Sequence, residues 1–150
     1  MNQQPWMTWT GRGLTAIFAI FMLGASVTPK LTGMDVAAQT MVELGWPPEY
    51  TFPIGVLELA LVLLYLFPRT NLLGAVLMMG LLGGAMATQI RVGNPLFSHV
   101  LFSVYIGLFM WGGLWLRDPA VRALFPLRWD TDVTNRVSAD PAASRTRRPA

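Results

Sequence analysis

Four stretches of this chain are too apolar to be wetted along their length, at about 13–29, 52–67, 72–90 and 96–116. Each approaches the roughly 20 residues a helix needs to cross a hydrocarbon core. In hydrocarbon a continuous segment must satisfy its own backbone N–H and C=O groups, and a helix does this within itself. The expected fold is therefore all-α: an antiparallel four-helix transmembrane bundle with a short amphipathic surface helix between the first and second spans. The first two apolar cores are short and need flanking residues or tilt to fit.

Composition agrees. Apolar residues make up 53% and charged residues 13%, against about 25% charged in an average soluble domain. That is too little charge to cover a water-facing surface. The net charge of +3 does not argue for nucleic acid, because Arg117, Arg122, Arg128, Arg136, Arg145, Arg147 and Arg148 all lie late in the chain.

The breaks between segments have physical causes. Pro68 follows the second, and Asn71 is placed to cap the third. Gly93, Asn94 and Pro95 interrupt the chain before the fourth, and Asp118-Pro119 ends it. Turns as short as 68–71 and 91–95 join antiparallel neighbours. The connection from Thr28 to Thr51 is long enough for a helix. Thr32 and Asp35 resemble a capping box, while Gly45 with Pro47 and Pro48 marks an end. Between them Asp35, Gln39 and Glu43 share one face, and Met34, Ala37, Ala38, Met41 and Leu44 the other. A cleaved leader is the competing reading of the first stretch, since Arg12 precedes an apolar run and Ala25-Ser26 are small. No clear A-x-A site follows, however, and cleavage would leave three spans. Residues 1–129 form the expected membrane domain, and 130–150, with almost nothing to bury, a disordered basic tail.

Basic residues favour the cytoplasmic side of a membrane. With four spans, Arg12, Arg69 and the seven late arginines share one side, against Lys30 and Arg91 on the other. Both termini are thus expected in the cytoplasm. Trp6, Trp9, Trp115 and Trp129 then lie at the inner interface, and Trp46 and Tyr50 at the outer one.

The absence of cysteine excludes disulfide, thiol and iron–sulfur chemistry. His99 is the single histidine, so no metal site is expected. Glu58 is the informative residue, because a carboxylate within a span is costly unless paired and marks a candidate site. Gly55, Val62 and Tyr65 share its helix face, which is expected to point into the bundle. Lys30, Thr88, Gln89, Arg91, His99 and Ser103 fall at similar depth in the outer half and complete the set of ligand-pocket candidates. Hydrogen-bond donors for Glu58 are expected among Thr88, Gln89, Ser103 and His99, with Arg91 reaching down. The inner half shows no comparable polar set. Structural readings stand beside these: Lys30 and Arg91 as snorkelling anchors, Glu58 as part of an interhelical ion pair. Gly80 and Gly84, at GxxxG spacing, and Ala87 are expected to pack helices within the bundle.

Several stretches together resemble the DoxX-like family of small four-span bacterial membrane proteins. They are GVLELA at 55–60, YLFPRTNLLGAVLMMGLLGGAMATQIRVG at 65–93 and WGGLWLRDPAVRALFPLR at 111–128. A first span ending near Lys30 and the GWP at 45–47 keep the same order, so the resemblance covers about 13–128. It implies a four-helix membrane fold in the bacterial inner membrane and a link to membrane redox assemblies such as thiosulfate:quinone oxidoreductase. Similar members tend to have His where this chain has Gln89, a side chain that does not titrate.

The leading expectation is an accessory, non-catalytic membrane subunit with an outer-side pocket for a small apolar or quinone-like ligand. A proton-coupled permease using Glu58 and a structural membrane protein without ligand are the alternatives. Catalysis by this chain alone is disfavoured, because no electron-carrier motif is present. The expected partners are the lipid bilayer and a membrane protein, either another chain or a copy of this one; nucleic acid is not expected.

Overall fold

The structure, a computed structural model, describes residues 5–124. The basic tail and Trp129 lie outside the described residues. Within them every regular element is a helix. Four helices are long and apolar enough to cross a membrane: Pro5–Leu31, Pro48–Leu66, Asn71–Arg91 and Leu96–Arg117. These are the first to fourth spans. A short helix, Asp35–Glu43, joins the first two, and another, Pro119–Leu124, follows the fourth.

The first span is the one the sequence underestimated. Its helix begins at Pro5, because Gly11 and Thr15 are buried and pack against the fourth span. The Trp, Thr and Arg residues at 6–12 dilute the apolar pattern without breaking the helix. The span is also not uniform. It is α-helical to Phe21, a π-helix over Met22–Val27, and α-helical again over Thr28–Leu31. Pro29 has no N–H to donate and its ring crowds the carbonyl four residues back. A wider turn just before it relieves that crowding, and Thr28 closes it by donating its hydroxyl to the Leu23 carbonyl at 2.6 Å. A second π-helix, Leu96–Val100, follows Pro95 at the start of the fourth span.

Three helix ends fall where a glycine supplies a backbone with positive φ. Gly33, Gly45 and Gly93 have φ of 69°, 73° and 73°, a conformation that L side chains avoid. Gly45 and Gly93 are the stops expected from sequence. Each sits in a reversal in which the next residue's N–H returns to the helix: Trp46 to Met41 at 2.8 Å, Asn94 to Gln89 at 3.1 Å. Gly33 does the same for the first span, with Met34 returning to Pro29 at 3.0 Å. This replaces the expected capping box. Thr32 belongs to the preceding helix end, its hydroxyl donating back to the Thr28 carbonyl at 2.8 Å. The short helix starts instead from Met34, with no side-chain cap. On its faces Ala37 and Met41 are buried and Asp35, Gln39 and Glu43 exposed, but Met34, expected on the apolar face, is exposed as well.

The core is built from Phe18, Val62, Tyr65, Met78, Met110 and Leu114, all essentially inaccessible. Around them the surface is apolar. Ile20, Leu63, Val76 and Leu108 are more than half exposed, which is a stable arrangement only where the surroundings are lipid.

The close helix contacts are made by glycines, but not by the pair the spacing singled out. A Cβ on Gly113 would lie 2.7 Å from Thr15 Oγ1, and one on Gly11 2.9 Å from the Gly113 carbonyl oxygen. The first and fourth spans therefore touch backbone to backbone there. Gly74 is likewise pressed against the backbone of Tyr65. Gly80 and Gly84 have nothing within 4 Å of a Cβ, and Ala87 is exposed. Among the described residues no neighbouring helix lies against Gly80 or Gly84. The expectation failed because GxxxG spacing marks a smooth helix face without saying whether a neighbour lies against it.

Candidate ligand cavity

Gly55 and Glu58 both face inward on the second span, as do Val62 and Tyr65. Glu58 is 7% exposed. Its partners come from the first span. Lys30 Nζ donates to Glu58 Oε2 at 2.9 Å and Oε1 at 3.0 Å, and Ser26 Oγ donates to Oε2 at 2.9 Å. Lys30 also donates to Ser26 Oγ at 2.7 Å. The three groups form a closed ring of charge-assisted bonds.

Local structure explains why. Ser26 and Lys30 are one turn apart and project toward the same neighbour. Gly55 lies one turn from Glu58, and a Cβ on it would come within 2.8 Å of the Lys30 Cβ. The missing side chain is what lets the first span approach closely enough for Lys30 to cap the carboxylate.

None of Thr88, Gln89, Arg91, His99 or Ser103 bonds to Glu58, contrary to expectation. Four of them bond elsewhere. Thr88 donates to the Gly84 carbonyl at 2.9 Å, and Gln89 Oε1 accepts from the Asn94 amide. Ser98 and His99 Nδ1 are hydrogen-bonded at 2.8 Å. Arg91 donates to the Leu44 carbonyl at 2.6 Å. Ser26, a residue the sequence reading passed over, takes their place. Its signal was the four-residue spacing to Lys30 at the end of the same span.

The same residues nonetheless share a space. A cavity of about 510 Å³ is lined by Lys30, Glu58, Thr88, Gln89, His99 and Ser103, together with Ser26. Arg91 is outside this lining and fastens its rim. Most of the remaining wall is apolar, with Phe21 and Met22 from the first span, Ile54 from the second, Leu82 from the third and Phe102 and Ile106 from the fourth. Met41 and Leu44 of the short helix and its following loop also contribute, as do Trp46 and Tyr50. Trp46 and Tyr50 contact edge to face, with centroids 6.4 Å apart. Both π-helices border the cavity, one presenting Ser26 and the other His99. Such widened turns re-aim side chains and recur at functional sites.

The other end of the molecule carries a polar set that the sequence reading did not anticipate. Tyr65 Oη donates to the Met110 carbonyl at 2.8 Å and lies 3.2 Å from Thr15 Oγ1. Arg117 stacks over the Tyr65 ring, 5.1 Å from its centroid, and Asn71 Nδ2 donates to Asp118 Oδ2 at 3.4 Å. Tyr65 is fully buried, with an exposure of 0%. This network pins helices together.

A four-span helical membrane protein with a mostly apolar cavity, one charge pair in its wall and a packed layer beneath is the class these features define. The family model described as the DoxX-like family matches residues 13–113, and the chain belongs to that family. No curated protein and no solved structure matches it.

Proposed function

We propose that this chain is an accessory, non-catalytic subunit of a membrane redox assembly that holds a small apolar or quinone-like ligand in this cavity. The observation that carries the reading is the cavity itself. Its volume of about 510 Å³ falls within the roughly 300–1,000 Å³ of small-molecule sites, which are typically apolar with a few convergent polar groups. Gln89 and Ser103 would hold the polar head and the apolar wall the body. The proton-coupled permease is less well supported, since it calls for a continuous polar path. Met78, Met110 and Leu114, apolar and buried beneath the cavity, count against one.

In this reading the spans run antiparallel in the bacterial inner membrane with both termini in the cytoplasm, as the distribution of Arg and Lys suggests. The cavity then opens in the outer half. The helix Asp35–Glu43 lies along the outer surface as its roof, held by the bond from Arg91 to Leu44. The test is purification in mild detergent followed by mass spectrometry of bound small molecules and proteins. Gly84 also lines the cavity, and a stoichiometric apolar molecule that is lost on filling the space by Gly84→Phe supports the reading. Recovery of the chain with neither ligand nor partner overturns it.

A further inference from the structure

The cavity has an unusual charge economy, and it bears on the class of ligand. Among the described residues, Lys30 and Glu58 are its only lining residues of the types Asp, Glu, Lys and Arg. They neutralise one another at 2.9 Å. Their bonding capacity is turned inward: the ammonium is engaged by both carboxylate oxygens and by Ser26, and the carboxylate accepts from both partners. A charged ligand entering this wall would have to break the ring or meet only His99 and uncharged polar groups in a mostly apolar space. Either course is costly, because a desolvated charge without a partner is strongly disfavoured.

Hydrogen-bond donors do remain in the wall. The Gln89 oxygen accepts from Asn94, which leaves its N–H groups to donate. Among the described residues Ser103 Oγ has no hydrogen-bond partner, and Ser103 is 8% exposed. These groups suit a carbonyl or ether oxygen carried on an apolar body.

We infer that the cavity selects an uncharged apolar molecule with a hydrogen-bond-accepting head, and that Lys30 and Glu58 enforce this by cancelling each other's charge. This rests on the cavity being a ligand site. It adds that acids and amines of the same size are rejected, and that the ion pair sets the discrimination without being the ligand's anchor.

The experiment compares three brominated probes of one chain length at pH 7.5: a methyl ester, the free carboxylate and the primary amine. Quenching of Trp46, which lines the cavity, reports binding to the full chain in detergent, with Trp46→Phe subtracting the other tryptophans. The wild type is expected to bind the ester at least tenfold more tightly than either charged probe. Glu58→Gln leaves Lys30 uncompensated and should shift the preference at least tenfold toward the carboxylate. Lys30→Gln should shift it toward the amine. The exchanged pair, Lys30→Glu with Glu58→Lys, should restore preference for the ester and guards against a single variant that fails to fold. Equal wild-type affinity for ester and carboxylate, or an unchanged order in the folded single variants, overturns charge selection and leaves the ligand site standing. Failure of all three probes to quench Trp46 removes the ligand site and this inference with it.

Discussion

Lys30 and Glu58 stand 28 residues apart in the chain and 2.9 Å apart in space. Their ion pair ties the end of the first span to the upper part of the second. It is flanked on one side by Gly55, which makes the room, and on the other by the cavity. A pair this shielded is costly to form, and its importance is felt most when one half is removed.

Glu58→Leu leaves the Lys30 ammonium without its counter-charge in an apolar wall. It should destabilise the protein by about 3 kcal/mol, the lower end of what breaking a buried pair costs. Glu58→Gln keeps an acceptor for both Lys30 and Ser26, so it should retain the fold and lose less. The double variant Lys30→Met with Glu58→Leu should recover most of the loss. Thermal unfolding in detergent checks the order. A double variant as unstable as Glu58→Leu alone would show that the pair's partner is not the reason for the loss.

The glycines separate into two groups by what a side chain would meet. Gly74→Ala drives a Cβ into the Tyr65 backbone, and Gly113→Ala into Thr15 and the Gly11 carbonyl. Neither neighbour has a flexible end to move aside. Each change should cost about 1–3 kcal/mol, the usual penalty of overpacking. Gly80→Ala and Gly84→Ala meet open space and should be neutral or stabilising by up to about 1 kcal/mol. The same unfolding assay reads both groups, and a loss at Gly80 equal to that at Gly74 would show that another chain packs there.

Arg91 fastens the end of the short helix through the Leu44 carbonyl at 2.6 Å. Its guanidinium also lies against Gly45, where a Cβ would approach within 3.1 Å. Arg91→Ala should free the rim while leaving the spans intact. A hydrogen bond to a charged donor is worth about 1.5–3 kcal/mol, so amide exchange over 35–45 should quicken at least tenfold. Unchanged exchange there would mean that packing of Ala37 and Met41 alone holds this helix.

Orientation is tested by reporter fusions. Alkaline phosphatase fused at Gly93 should be active, being exported, and a fusion at the C-terminus inactive. The reverse pattern would place the cavity on the cytoplasmic side.

The apolar runs, the breaks at Gly45 and Gly93 and the helical class were all legible in the sequence, because they depend on local chemistry. A backbone in hydrocarbon needs a helix whatever its neighbours are, and a positive φ needs glycine wherever it occurs. That Glu58 faces inward followed equally from its place on a helix with Gly55, Val62 and Tyr65. What Glu58 bonds to did not. Depth along a span can be counted from sequence, and it brought Thr88, Gln89, His99 and Ser103 to the right level. Rotation of one helix about its neighbour cannot be counted, and that rotation assigned Glu58 to Ser26 and Lys30. It also decided that Gly11 and Gly113 meet a neighbouring helix while Gly80 and Gly84 meet none. Both outcomes depend on which ridge of one helix fills which groove of the next, a property of pairs of side chains far apart in the chain.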